Sequence, residues 1–403
     1  MNTSFLYHAL GLKNLEYKGF NYENKSIVIQ VQTSPCKLRC SRYTGCHVIR
    51  SGFNYRLFRC VPVGSRQLFI KMKVQRLYCK DCDAHLQEYL HFVKGKRSYT
   101  NRFQRFVVEL SRIGTIKDVA NFLHVSWDTV KDIQKRYLKE HFSNPSFLKV
   151  KRIGIDEFAI SKGHVYKTIV VDLDTSRVIY MGDGKSAASL DKFWHKVRKK
   201  KVKIEAVATD LSAAYISSVM TNAPDAILVF DHFHIVKLMN DTIDNIRRDI
   251  YREETDLNKR KVIKGTRWLL LCNGKDIFDD KFKSRLDNAL KLNKSLAQAY
   301  YLKESLKEIW TQETKQKAED VLYNWVDQAR ESKTPRLLRF ARTLLAHRFG
   351  VLAWYDCRIS TGKVEGINNK IKTMKRKAYG YRDQEFFKLK IYAMHKNKYA
   401  FAG

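Results

Sequence analysis

The sequence predicts a multidomain α/β protein, and three observations carry that reading. Cysteines near the N-terminus bracket a β-like stretch, residues 101–140 have helical periodicity, and after Pro145 short β-rich runs alternate with helical ones. At 403 residues the chain is longer than one ordinary domain and accommodates two to four. Hydrophobic residues make up 44%, enough for packed cores. Lys and Arg number 76 against 41 Asp and Glu, a net charge of +35 with a pI near 9.8. That excess points to a polyanion, foremost nucleic acid; a merely basic or ribosome-associated protein is the plainer alternative. The opening MNTSFLYHALGLKN lacks the basic, apolar, then small-residue order of a signal peptide, and no apolar run reaches the roughly 18 residues of a membrane span. The expectation is a soluble, intracellular protein whose cysteines are metal ligands or core thiols rather than disulfides.

Six of the eight cysteines fall within residues 36–82. Cys36-x3-Cys40 and Cys79-x2-Cys82 form two short pairs, and between them QLFIKMKVQRLYC alternates apolar and polar residues at period two. Two tight turns with two thiolates each would surround a tetrahedral Zn2+, so residues 1–95 read as a zinc-ribbon domain liganded by Cys36, Cys40, Cys79 and Cys82. The first pair has three intervening residues where two are commoner, so Cys46, His47 or Cys60 can stand in. A metal-free set of buried thiols is the alternative. Bound zinc would hold together a small domain that buries little surface by itself.

Residues 96–145 read as a helix-turn-helix domain. NRFQRFVVELSRIG makes a helix ending at Gly114, IKDVANFL a second, and Ser126 is the N-cap of a third, WDTVKDIQKRYLKE. In the third, Val130, Ile133 and Tyr137 are expected inward, which leaves Lys131, Gln134, Lys135 and Arg136 outward to meet DNA in the major groove. The plainer reading is a three-helix packing unit with no DNA role.

From residue 146, KRIGIDEFAI, YKTIVVDL and RVIYMG predict three consecutive strands. SAASLDKFWHKVRKK is helical, IEAVATD a fourth strand, LSAAYISSVM a helix and AILVFD a fifth strand. An antiparallel meander extended by parallel strands is an RNase H-like, mixed five-stranded sheet. Asp156 lies in the first strand and Asp210 ends the fourth. Those strands are neighbours in this topology, about 4.8 Å apart, close enough for two carboxylates to share Mg2+ or Mn2+. Incidental strand-end acids are the plainer alternative. Much further on, TGKVEGINNKIKTMKRKAYGY predicts a helix with Val364, Ile367, Ile371 and Met374 as its apolar stripe. Glu365 lies off that stripe and heads a face continued by Asn369, Lys372 and Arg376, a carboxylate beside groups suited to a DNA backbone. A solvated basic helix with one stray Glu fits that segment alone equally well.

IGIDEFA, VATDLSAAY, VFDHFHIVK and CRISTGKVEGINNKIKTMKRKAYGYRD resemble the transposases of the ISL3 insertion-sequence family over nearly the whole chain. Their order is similar to that of eukaryotic Mutator-like enzymes. The resemblance implies a DNA transposase with an Asp–Asp–Glu triad at Asp156, Asp210 and Glu365, holding Mg2+ or Mn2+. It implies supporting roles for Asp231 and His234, the D-x-x-H element after the fifth strand. It further implies binding of terminal inverted repeats and target DNA, assembly as a homodimer or larger synaptic complex, and a place in a prokaryotic cytoplasm at the nucleoid. The catalytic domain then spans 146–249 and 356–403, with an all-α insertion at 250–355. In that insertion Trp268, beside three Leu residues, reads as core before it reads as a base-stacking platform. Two other function classes fit part of the sequence: a non-catalytic, transposase-derived DNA-binding regulator, against which the acidic triad speaks, and a structure-specific nuclease of the same fold.

Overall fold

A computed structural model describes residues 3–23, 26–161, 165–277 and 279–396. The chain forms two compact units, residues 1–143 with 373–403 and residues 144–372.

The first unit is built on a five-stranded sheet of β1 (Leu15–Glu23), β2 (Ser26–Thr33), β3 (Val48–Val63), β4 (Arg66–Cys79) and β5 (Ala84–Gln87). Its order is β1-β2-β4-β3, with β5 also paired to β4. The period-two pattern of β4 is realised as expected: Leu68, Ile70, Met72 and Val74 are buried, and Lys71 faces out. Leu6, Leu12, Ile29, Phe58 and Phe92 complete that core.

Three helices follow, Asn101–Leu110, Ile116–Leu123 and Trp127–Phe142. Each starts where a side-chain oxygen accepts an otherwise orphaned backbone N–H. Thr100 caps the first, Thr115 and Asp118 form a capping box on the second, and Ser126 accepts from the Thr129 N–H on the third. His124, at φ 50°, makes the left-handed turn between the second and third. Buried Arg59 donates to the Leu123 carbonyl at 2.8 Å, which ties these helices to β3.

The expected grouping of 356–403 with the catalytic sheet does not match the division of the chain, which places residues from Thr373 onward with the N-terminal unit. The physical cause is the helix Gln384–Ala393, which packs against Trp127–Phe142 and buries Phe386, Phe387, Leu389 and Ile391. Just before it, Asp383 pairs with Lys131 at 3.3 Å and Lys135 at 3.0 Å, and Glu385 pairs with Lys135 and Lys139 at 2.9 and 3.2 Å. Burial pushes the Asp383 carboxyl up, but the Phe386 N–H and the two lysines outweigh it and hold it at about 2. A carboxyl depressed in the fold stabilises above its ordinary value of 3.8 and ceases to do so as pH falls toward 2. The melting-temperature advantage of wild type over Asp383→Asn is therefore expected to be full above pH 3.8 and to shrink on acidification. An advantage that does not vary with pH would contradict the ion-pair account.

The second unit contains β6 (Arg152–Ser161), β7 (Val165–Asp172), β8 (Arg177–Asp183), β9 (Ala206–Thr209) and β10 (Ile227–Phe230), in the order β10-β9-β6-β7-β8. β6, β7 and β8 form an antiparallel meander, and β9 and β10 extend it in parallel on the other side of β6. The two crossover helices, Asp191–Lys199 and Ala213–Asn222, fall where the alternating pattern predicts them. Phe193, Trp194, Tyr215 and Val219 join Ile153, Ile155, Val207 and Phe230 in one core.

From β10 to the helix Gly362–Lys377 the described residues are helical, beginning with the 22-residue helix His232–Glu253. Its start at His232 precedes the expected insertion boundary near 250, because Asp231 caps it directly at the strand end through the Phe233 N–H. Trp325, Phe340, Leu322 and Leu344 anchor the core of this region. Trp268 departs from the core reading: it is 69% exposed with Arg267 over its ring, while Leu270 turns inward. A five-residue helix cannot bury every apolar side chain it carries. Among the described residues no helix is long and apolar enough to cross a membrane.

Candidate functional site

The acids meet because of strand register. β6 pairs with β9 in parallel up to Gly154 opposite Ala208, and Asp156 on β6 and Asp210, just past the end of β9, each follow that last pair by two residues. β10 pairs Phe230 with Thr209, which brings Asp231 to the same end of the sheet. Asp210 and Asp231 thus directly follow the last residues of β9 and β10, and Asp156 lies within β6 just past the end of its pairing with β9.

The helix Gly362–Lys377 lies close along β6. A Cβ on Gly154 would stand 2.4 Å from Val364 Cγ2, so glycine is what permits the approach. One helical turn from Val364 to Asn368 rises about 6 Å and matches two residues of strand, from Gly154 to Asp156. Asn368 Nδ2 accordingly donates to Asp156 Oδ2 at 2.8 Å. The other Asp156 oxygen accepts the Glu157 N–H at 2.8 Å. Burial, reinforced by the negative charges of Glu157 and Asp210 and opposed by that N–H, pushes the Asp156 carboxyl up to about 6. Glu157 is raised as well, by burial and by Asp210, and its Oε2 is buried without a hydrogen-bond partner. Asp210 Oδ1 accepts the Ser212 N–H at 3.1 Å.

Asp231 is buried and shared between two elements. Its Oδ1 accepts the Phe233 N–H at 3.0 Å, and its Oδ2 accepts the Thr361 N–H at 3.1 Å together with the Thr361 hydroxyl. The Thr361 carbonyl accepts the Glu365 N–H at 2.9 Å, the first turn of the Glu365 helix. Asp231 therefore fixes where that helix begins. His234 Nδ1 lies 4.0 Å from Asp231 Oδ2 and is buried without a hydrogen-bond partner.

Glu365 itself is exposed. Among the described residues the one set of three or more ligand atoms within 4.8 Å of one another is that of Cys40, Cys79 and Cys82. Asp156, Asp210 and Glu365 do not form such a set. The acidic centre nonetheless suits a hard cation. Burial raises the Asp156 and Glu157 carboxyls above their ordinary range, so a cation there would offset a cost the fold already bears.

Sequence reasoning missed Glu157, Asn368, Thr361 and Tyr215, whose hydroxyl lies 3.0 Å from that of Thr168. One signal was present. Asn368 stands one turn after Val364, a polar residue beside an otherwise apolar stripe. Asn369, Lys372 and Arg376 are exposed on the same helix.

The thiol cluster comes from the β4–β5 hairpin and a turn. Cys79 ends β4, Cys82 follows in the tight connection to β5, and Cys40 arrives from the segment before β3. Cys40 Sγ lies 3.8 Å from Cys82 Sγ. The Tyr43 N–H, ahead of the opposing effect of burial, draws the Cys40 thiol below its usual range. Cys36, by contrast, is exposed on a short turn outside the cluster, so the expected fourth thiolate is not gathered here. Cys46 is exposed, Cys60 is buried near Thr100, and His47 Nδ1 pairs with Asp81 at 2.8 Å.

On the third helix the four expected DNA contacts fare differently. Gln134 is buried, contrary to its expected outward position, because the face it shares with Val130 and Leu138 is covered on two sides. Lys131 and Lys135 are taken up by Asp383 and Glu385. Arg136 is exposed and donates to the Tyr99 hydroxyl at 2.6 Å.

A strongly basic chain with three capped helices in one unit, and carboxylates on and just after adjacent parallel strands in the other, has the make-up of an enzyme that processes DNA. Known proteins agree. A family described as transposase matches residues 153–391, and the helix-turn-helix domain of transposase family ISL3 matches residues 88–138. The chain is 35% identical over 341 residues, 84% of each protein, to the transposase for insertion sequence element IS1001 of Bordetella parapertussis. It is 25% identical over 359 residues to the transposase for insertion sequence element IS1557 of Mycobacterium tuberculosis, covering 83% of this chain and 80% of that protein. The protein belongs to the ISL3 family of transposases. Among solved structures, the Drosophila P element transposase strand transfer complex aligns over 76% of this chain and 94% of that one, at a TM-score of 0.41 and 12% identity, too distant for detail to carry across.

Proposed function

We propose that this transposase cuts and joins DNA at an Asp–Asp–Glu centre on an RNase H-like sheet, with Asp156, Asp210 and Glu365 as the residues that hold Mg2+ or Mn2+. The observation that supports the reading is that Asp156, two residues past the β6–β9 pairing that Asp210 follows, is held by Asn368 of the helix that bears Glu365. When bound, the cations supply activation of water or a 3′-hydroxyl and stabilisation of the leaving oxygen. Asp231 holds the Glu365 helix at its first turn, and His234 lies against Asp231. Asn369, Lys372 and Arg376 line the exposed side of that helix and meet phosphate oxygens of DNA.

The N-terminal unit is proposed to recognise the terminal inverted repeats. Cys40, Cys79 and Cys82 hold Zn2+ there, with the fourth position open to Cys36 or a neighbouring donor. Two element ends must be joined in one event, so a dimer or larger synaptic assembly acts, on target DNA as well as on the ends. The deciding experiment is metal-dependent cleavage of a duplex carrying the element's own end. Cleavage at the element boundary by wild type, with no cleavage in Mg2+ or Mn2+ by Asp210→Asn or Glu365→Gln, supports the assignment. Binding without cleavage by all three chains would make the protein a DNA-binding regulator. Cleavage of branched DNA without preference for the end would make it a structure-specific nuclease.

Arg376→Ala is expected to weaken DNA binding with little change in sequence preference. It should also flatten the dependence of affinity on salt by about one unit of log–log slope, as for one lost phosphate contact. An unchanged slope removes Arg376 from the contact surface.

A further inference from the structure

Asn368 is 5% exposed, and its amide is held from one side only. Nδ2 donates to Asp156 Oδ2 at 2.8 Å and, more weakly, toward the Glu157 carbonyl at 3.4 Å. Both neighbours are acceptors, which fixes the orientation of the amide: reversed, its oxygen would face a carboxylate and a carbonyl. Oδ1 is thereby turned away from them, and it is buried with no hydrogen-bond partner. An amide oxygen stranded in this way lacks the partner that burial ordinarily demands. Glu157 Oε2, on the residue that follows Asp156, is buried and unpartnered too. A buried amide oxygen without a partner, on the side chain that holds Asp156, marks a place short of positive charge.

We propose that Asn368 is an oxygen ligand of the divalent-cation site, in addition to orienting Asp156. The inference rests on the acidic-centre reading above. A neutral amide oxygen is a hard donor that suits Mg2+ or Mn2+. It adds a ligand without adding a further negative charge beside Asp156 and Asp210. Its two ends divide the work. Nδ2 holds the Asp156 carboxylate in one rotamer, and Oδ1 faces the cation.

The test is Mn2+ binding to the full-length protein without DNA, followed by the electron paramagnetic resonance signal of free Mn2+, with metal-free melting curves for each variant. Asn368→Ala is expected to weaken Mn2+ binding at least ~10-fold, the size of effect that ligand-supporting residues have. Asn368→Asp, which keeps an oxygen at the same place and makes it charged, is expected to bind Mn2+ more tightly than wild type. Wild-type affinity in Asn368→Ala with an unchanged melt overturns the proposal, as does equal or weaker binding in Asn368→Asp. Should the alanine chain lack a cooperative melt, the aspartate variant decides by the same criterion. Asp210→Asn runs alongside. If it too binds Mn2+ like wild type, the acidic-centre reading itself has failed; if it alone loses affinity, the failure is confined to Asn368.

Discussion

Asp210→Asn is expected to lower metal-dependent cleavage of the element end by about 1,000-fold or more, equivalent to about 4 kcal/mol of barrier, with end binding unchanged. The substitution keeps the shape of the side chain, and an amide oxygen can still accept the Ser212 N–H that holds Asp210 in its turn. What is removed is the negative charge facing Asp156 and Glu157, on which a divalent cation would depend. Burial is the main cause of the raised Asp156 carboxyl, and loss of the Asp210 charge removes part of the repulsion added to it, so the folded protein should be no less stable than wild type. An inactive variant that melts normally and still binds the end separates a chemical role from a structural one. Cleavage within tenfold of wild type would mean that Asp210 is a strand-end acid with no part in the reaction.

Cys79→Ser is expected to abolish zinc binding and to weaken end binding at least ~10-fold, because structural zinc contributes its binding free energy to folding. Cys79 is fully buried at the end of β4, and its sulfur lies within 4.8 Å of those of Cys40 and Cys82. A serine hydroxyl is a poor zinc ligand, and a site left with two gathered thiols has no tetrahedral set. Metal analysis of the purified protein and a footprint on the element end give the two readouts. Zinc at wild-type stoichiometry in Cys79→Ser would place the metal elsewhere or dispense with it. Normal end binding by a zinc-free variant would show that the thiol cluster has no role in recognition. Replacement of Cys36 is expected to be milder, because its exposed turn lies outside the cluster.

Much of this architecture was legible because it is written in local periodicity. The alternation of β4, the caps at Thr115 and Ser126, and the strand-helix alternation from Arg152 to Phe230 are properties of neighbouring residues. So is the placing of Asp156 in the first strand of the sheet and of Asp210 directly after the fourth. Cys79 and Cys82 were legible in the same way, as two thiols on one tight turn.

What the sequence could not contain is which surface each element meets after the chain has turned back on itself. Lys131 and Lys135 read as outward-facing contacts until a segment some 250 residues later brings Asp383 and Glu385 onto them. Gln134 is inward for the same reason, as a helix covered on two sides has a wider buried arc than an apolar stripe reveals. Trp268 turned out to be exposed because its short helix has room for one buried leucine face only. The choice of Asn368 over Asn369 was likewise tertiary. Only the seat of Val364 over Gly154 sets the rotation of that helix, and with it which of two adjacent amides reaches Asp156. The sequence by itself determined the elements, their order and the acids they carry. The tertiary structure decided which faces are left for DNA and which polar groups stand around the acids, because both depend on contacts between residues far apart in the chain.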